Sequence, residues 1–155
     1  MLFVCLGNIC RSPMAEGVLR ARLEERGLAA QVEVDSAGTA AYHIDEPPDP
    51  RAQDTMRRHG IDIGDLRGRQ VNVRDLQEFD YVLAMDRANL ADLRTLAGGH
   101  ADPVRLFLDF ARDADRREVP DPYYGGSDGF ERVYGLLQEA ASGLVADIER
   151  RLGRS

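Results

Sequence analysis

The chain has 155 residues, a formal charge of −7 and a sequence pI near 5.0. That length fits one domain, 1–155, able to bury about two thirds of its unfolded surface without disulfide staples. The acidic balance argues against nucleic acid or an anionic membrane as partner, and no apolar run is long enough to span a bilayer or to act as a signal peptide.

Cysteine usage points to the cytoplasm: there are only two, Cys5 and Cys10, both in one short segment. All 20 basic residues are arginine, and lysine is absent. His43, His59 and His100 are scattered without ligand spacing, so no metal is expected. Nothing in the composition calls for a cofactor, and a monomer is the default.

Leu2-Phe3-Val4 reads as a short buried strand, and Ser12-Pro13 opens a helix in which Ala15, Val18, Leu19 and Leu23 keep helical spacing up to Gly27. Val32 to Ser36 alternates and is rich in β-branched residues, which predicts a second strand ended by Ala37-Gly38. Residues 39–48 form a long loop, and a helix runs from about Pro50 to His59, closed by Gly60. Tyr81 to Ala84 is a third strand, and Asp86 then caps a helix reaching Leu96. Val104 to Leu106 is a fourth strand, followed by a short apolar turn. Phe130, Val133, Tyr134, Leu137, Ala141, Leu144, Ile148 and Leu152 mark a long amphipathic helix on a sheet. Alternating strands and helices predict an α/β fold: a three-layer, open twisted sheet of about four parallel strands with helices on both faces. The loop after strand one then lies at the carboxyl end of the sheet, where such folds bind ligands.

That loop carries the chemistry. Residues 4–13 read Val-Cys-Leu-Gly-Asn-Ile-Cys-Arg-Ser-Pro. A strand, a tight polar loop and a helix N-terminus together make an anion site from converging N–H groups and the helix dipole. A thiolate is the nucleophilic form of cysteine, and a helix N-terminus with an adjacent guanidinium favours it. Cys5 has both influences. Arg11 can clamp two phosphate oxygens side by side, and Ser12 can donate to the Cys5 sulfur when it leaves. Gly7 permits a positive φ, and Asn8 tolerates the left-handed region. Leu6, Gly7, Asn8, Ile9, Cys10 and Ser12 are thus the candidate phosphate-binding loop.

These residues resemble the signature of the low-molecular-weight protein tyrosine phosphatases, and the resemblance continues through Ser36-Ala37-Gly38-Thr39, Pro48-Asp49-Pro50-Arg51, Tyr81 to Asp86 and Asp121-Pro122-Tyr123-Tyr124-Gly125. It implies a phosphotyrosine-containing protein as substrate, Cys5 as nucleophile, Arg11 as clamp and Asp121 as general acid and then base. It also implies Asn8, Ser12 and Ser36 as a polar network holding the loop. Tyr42, Tyr123 and Tyr124 are expected to wall a slot deep enough for a phenyl ring. Cys10 is either a small packing residue or, as in that family, a redox partner for Cys5. Asp49 and Asp86 are read as helix caps without a catalytic role. One departure stands out: where relatives carry a histidine supporting the loop asparagine, this chain has Leu66.

Three rivals remain at this stage. An arsenate reductase of the same fold would need a further cysteine. A protein-arginine phosphatase tends to have threonine at the place of Ile9 and to lack the paired tyrosines. A phosphopeptide-binding module without turnover would not need Cys5, Arg11 and Asp121 together.

Overall fold

The computed structural model describes residues 1–98, 104–111, 117–123 and 127–153. Four parallel strands, β1 (Leu2–Cys5), β2 (Asp35–Gly38), β3 (Val82–Ala84) and β4 (Val104–Leu106), form one sheet in the order β2-β1-β3-β4. Between and after them come α1 (Arg11–Glu25), α2 (Pro50–Arg58), α3 (Val73–Glu78), α4 (Arg87–Ala97), a 3-10 turn at Phe107–Phe110 and α5 (Ser127–Arg151).

Strand alternation divides the core in two. Phe3, Cys5, Leu83 and Met85 join the apolar faces of α1, α2 and α5 on one side. Leu2, Val4, Val82 and Ala84 meet Leu76 of α3 and Leu93 and Ala97 of α4 on the other. The expected three layers are therefore present. β1 sits at the centre with both neighbours parallel, and every one of its side chains is buried. Such double burial explains its continuous apolar run.

Three local expectations need correcting. β2 begins at Asp35, not Val32, because pairing starts where Leu2 meets Asp35; Val34 is buried without entering the ladder. Ala37 and Gly38 are paired members of the strand, which ends at Gly38, where a Cβ would lie 2.8 Å from the Leu6 carbonyl. α3 has no counterpart in the apolar periodicity. Its signal is polar: Asn72 and Asp75 form a reciprocal capping box. Leu152 lies beyond the end of α5 and is exposed, whereas Phe130, Val133, Leu137, Ala141, Leu144 and Ile148 are buried as their spacing predicts.

α1 is buried on all sides from Arg11 to Leu19, so the functional loop feeds into a helix inside the protein. α5 closes the same face. At Gly143 it comes so near the 3-10 turn that a Cβ would collide with the Phe110 carbonyl. At the opposite end of the sheet from the loop, Tyr81 donates to Asp147 at 2.6 Å; burial and that carboxylate push its hydroxyl up to about 12.

Because the obstacle at Gly143 is backbone, a side chain there forces α5 and the turn apart. Gly143→Ala is expected to cost about 3 kcal/mol, the upper end for overpacking, and to lower the Tm in a thermal melt. A variant melting with the wild type would contradict that close approach.

Candidate active site

Cys5 ends β1, and the chain turns through residues 6–10 into α1. Hydrogen bonds pin this loop from outside: Thr39 and Ala40 N–H donate to the Cys5 and Leu6 carbonyls, and Asp49 N–H donates to the Ile9 carbonyl at 2.8 Å. Asn8 takes the left-handed conformation, φ 58°. Gly7 does not, contrary to expectation. Its missing Cβ instead lets His43 close over the loop, since a Cβ would sit 3.1 Å from the imidazole.

The side chain of Asn8 compensates its backbone strain. Nδ2 donates to Ser12 Oγ at 2.8 Å and Ser36 Oγ at 3.1 Å, while Oδ1 accepts from the Arg69 amide at 3.0 Å. The last bond braces the Asn8 side chain from the main chain. Leu66 packs against the core, and a main-chain N–H three residues on supplies the donor. Ion pairs of the Arg69 side chain with Asp35 and Asp75 fix that segment.

The Cys5 sulfur lies 3.0 Å from Ser12 Oγ and accepts from the Asn8 N–H at 3.3 Å. α1 begins with no side-chain cap and no acidic residue in its first turn. Its first N–H groups, with the positive end of the dipole, are thereby left to an anion.

Arg11 is 3% exposed. Its Nη1 donates to Asp86 Oδ2 at 2.6 Å and to the Val119 carbonyl at 3.0 Å, and Nη2 lies 3.7 Å from Asp121 Oδ2. Burial works against the guanidinium charge, but Cys5, Asp86 and Asp121 outweigh it and push the Arg11 pKa up. Asp86 does cap α4 as expected, accepting from Asn89 N–H through Oδ1. Its other oxygen holds Arg11, a role the capping pattern alone does not reveal. The available signal was topological, because Asp86 follows the strand beside β1 at the same sheet end.

A cavity of about 160 Å³ opens over the loop, lined by Cys5, Leu6, Gly7, Ile9, Cys10, Arg11, Tyr42, His43, Asp121 and Tyr123. Asn8, Ser12 and Ser36 stand behind it, each buried. Tyr124 and His100 lie outside the described residues. Asp121, at the mouth, accepts the Tyr123 N–H through Oδ1 at 3.0 Å, and its Oδ2 is the oxygen nearest Arg11. Tyr42 is 72% exposed, and the guanidinium of Arg51 lies 5.4 Å from the Tyr123 ring. Asp49 caps α2, as expected, and also binds Arg51 at 2.9 Å. Burial, with Asp49 and Cys5 nearby, pushes the Cys10 thiol well up. Thiol, guanidinium, open helix N-terminus and a carboxyl at the rim constitute machinery for attack at a tetrahedral oxyanion.

A family model described as low molecular weight phosphotyrosine protein phosphatase matches residues 1–154. A curated low molecular weight protein-tyrosine-phosphatase from Bacillus subtilis, YfkJ, is 43% identical over 151 residues, covering 97% of this chain and 96% of that protein. The crystal structure of YfkJ superposes with a TM-score of 0.92 at 42% identity, over 97% of this chain and 94% of that one. An arginine phosphatase from drosophila also superposes, with a TM-score of 0.87 at 31% identity and 96% coverage of both chains.

Asp86 separates two roles by substitution. Asp86→Asn keeps a capping oxygen but removes the charge facing Arg11, whereas Asp86→Ala removes both. Leaving a buried guanidinium without its carboxylate costs roughly 3–5 kcal/mol, and the cap adds about 1 kcal/mol. Thermal melts should rank wild type above Asn and Asn above Ala. An Asn variant as stable as wild type would show that the pair does not brace the fold.

Proposed function

The chain belongs to the low molecular weight phosphotyrosine protein phosphatase family and is a cysteine-dependent phosphomonoesterase, and we propose that it hydrolyses phosphotyrosine in protein substrates through a phosphocysteine on Cys5. The phosphoryl group binds over the loop N–H groups and Arg11. The Cys5 thiolate attacks phosphorus in line as the bond to the phenolic oxygen breaks, and the proton of Asp121 passes to that oxygen. Asp121, now a carboxylate, takes a proton from water as the water attacks the phosphocysteine. Phosphate forms, the Cys5 sulfur leaves as thiolate, and Ser12 stabilises it by donation. Arg11 holds the equatorial oxygens through both steps.

One observation carries the choice of tyrosine over arginine as substrate. The cleft has the nucleophile at its base, half-buried Ile9 in its wall and the Tyr42 and Tyr123 rings at its rim. Apolar and aromatic walls gain from burying and stacking on a phenyl ring. An arsenate-reducing relay finds no third cysteine in this sequence, which contains two. A binding module without turnover has no use for the carboxyl of Asp121 at the rim.

The same reading makes the protein a cytoplasmic monomer of one domain, 1–155, consistent with two free cysteines. Among the described residues no helix is long and apolar enough to cross a membrane. It also gives Cys10 a protective role. When peroxide converts the Cys5 thiolate to a sulfenic acid, the Cys10 sulfur attacks as its proton passes to the departing hydroxide, so that a disulfide forms and water leaves. Burial disfavours the Cys10 thiolate, so Cys5 meets the oxidant first. Mass spectrometry of the peroxide-treated protein should find a Cys5–Cys10 link that dithiothreitol reverses; inactivation without it would remove the redox role.

The experiment that tests the function compares turnover of phosphotyrosine and phosphoarginine peptides without added metal, in wild type and Asp121→Asn. Phosphotyrosine is expected to be the better substrate. Asp121→Asn should slow an aryl ester with a poor leaving group by about 10²-fold or more and one with a good leaving group far less. Faster phosphoarginine turnover would overturn the substrate, and equal losses for both esters would overturn the acid.

A further inference from the structure

Glu16 is the most deeply buried carboxylate among the described residues, 2% exposed, and it does not line the cleft. Its Oε2 pairs with Arg20 at 2.6 Å, and its Oε1 accepts from Ser36 Oγ at 2.8 Å. Burial, reinforced by Asp35, pushes its carboxyl up more than the Ser36 hydroxyl, Arg20 and Arg69 pull it down, and the close pair with Arg20 holds it as the carboxylate. A carboxylate kept among the buried residues of α1 calls for a reason.

Hydrogen-bond bookkeeping supplies one. An ionised carboxylate can only accept, so the Ser36 hydroxyl hydrogen points at Glu16. The Ser36 oxygen is then left to accept from Asn8 Nδ2 at 3.1 Å. The Asn8 amide cannot turn over, because its Oδ1 already accepts the Arg69 N–H. Its second amide hydrogen therefore goes to Ser12 Oγ at 2.8 Å. Having accepted, Ser12 must donate onward, and the Cys5 sulfur at 3.0 Å is nearer than the Ala37 carbonyl at 3.5 Å.

We propose that Glu16 is a positioning residue for the Cys5 chemistry: by taking the Ser36 hydrogen it fixes the polarity of a buried Glu16–Ser36–Asn8–Ser12 relay whose last donor serves the Cys5 thiolate. Without that acceptor the Ser36 hydroxyl seeks another partner, its grip on Asn8 slackens, and Ser12 is free to turn to the Ala37 carbonyl. The loop backbone is held by other bonds, so the anion cradle itself persists. The inference rests on Cys5 as nucleophile and concerns what presents a donor to it.

The test uses the whole chain and two readouts: the iodoacetamide alkylation rate of Cys5 at pH 6, located by mass spectrometry, and the inhibition constant of inorganic phosphate. Glu16→Met keeps the length and removes the acceptor. Alkylation should fall about fivefold, the worth of one hydrogen bond, while phosphate inhibition stays within about twofold, the size of an ordinary surface change. In a Ser36→Ala background the further loss should vanish, because the effect passes through Ser36. An unchanged alkylation rate, a parallel loss of phosphate affinity, or full additivity with Ser36→Ala would each overturn the proposal. Should Glu16→Met not fold, Glu16→Asp keeps the charge but withdraws the oxygen from Ser36, and the same outcomes apply. Turnover surviving in Cys5→Ser is a separate result, which would remove the nucleophile and not the relay.

Discussion

A buried guanidinium organises this molecule. At 3% exposure, Arg11 has given up nearly all its water, and the protein must return its hydrogen bonds and balance its charge. It does so from three directions: Asp86 at the start of α4, the Val119 carbonyl, and Asp121 at the rim. These partners come from two stretches of chain, the start of α4 and residues 119–121. Val119 is itself tied to the end of β3 by its N–H on the Met85 carbonyl at 2.7 Å. Neutralising one charge thus fastens the loop after β1, the N-terminus of α4 and the segment of Val119 and Asp121 to one another.

This arrangement also resolves an apparent contradiction in charge. A chain with a net charge of −7 binds an anion, although carboxylates cluster around the site. Asp86 and Asp49 are engaged with Arg11 and Arg51, and Glu16 with Arg20 and Ser36. Their charge is spent locally, whereas the N–H groups of the loop and of the uncapped α1 remain directed to a ligand. Local geometry overrides net charge within a few ångströms, where screening by salt has little effect.

Much of the site was legible in the sequence, for reasons that differ by residue. Cys5, Arg11 and Ser12 sit within one strand-loop-helix unit, so short-range spacing places them. Asn8 was readable because few residues tolerate a left-handed backbone. Asp121 came only through a family resemblance, since an Asp-Pro pair by itself reads as a turn. Asp86 was half legible: its capping pattern is local, but the reach to Arg11 depends on which strands are neighbours. The Arg69 amide was invisible, because a backbone donor leaves no trace in residue identity. Glu16 did leave one, as a charged residue four places after Ser12 on a helix otherwise buried. Among the elements, α3 was missed for lack of an apolar period, and β2 was misplaced because β-branched residues marked the approach and the pairing fell on Asp35 to Gly38.

The distribution of aromatic rings has an optical consequence. The chain contains no tryptophan and five tyrosines, so its near-ultraviolet emission belongs to tyrosine alone. Of the four described, Tyr81 is hydrogen-bonded to a carboxylate and Tyr134 is stacked on His59 at 3.7 Å, both settings that quench a phenol. The other two, Tyr42 and Tyr123, stand at the cleft. Two of the four described tyrosines thus stand at the rim of the cleft, so the intrinsic emission of the unlabelled chain responds to whatever enters there.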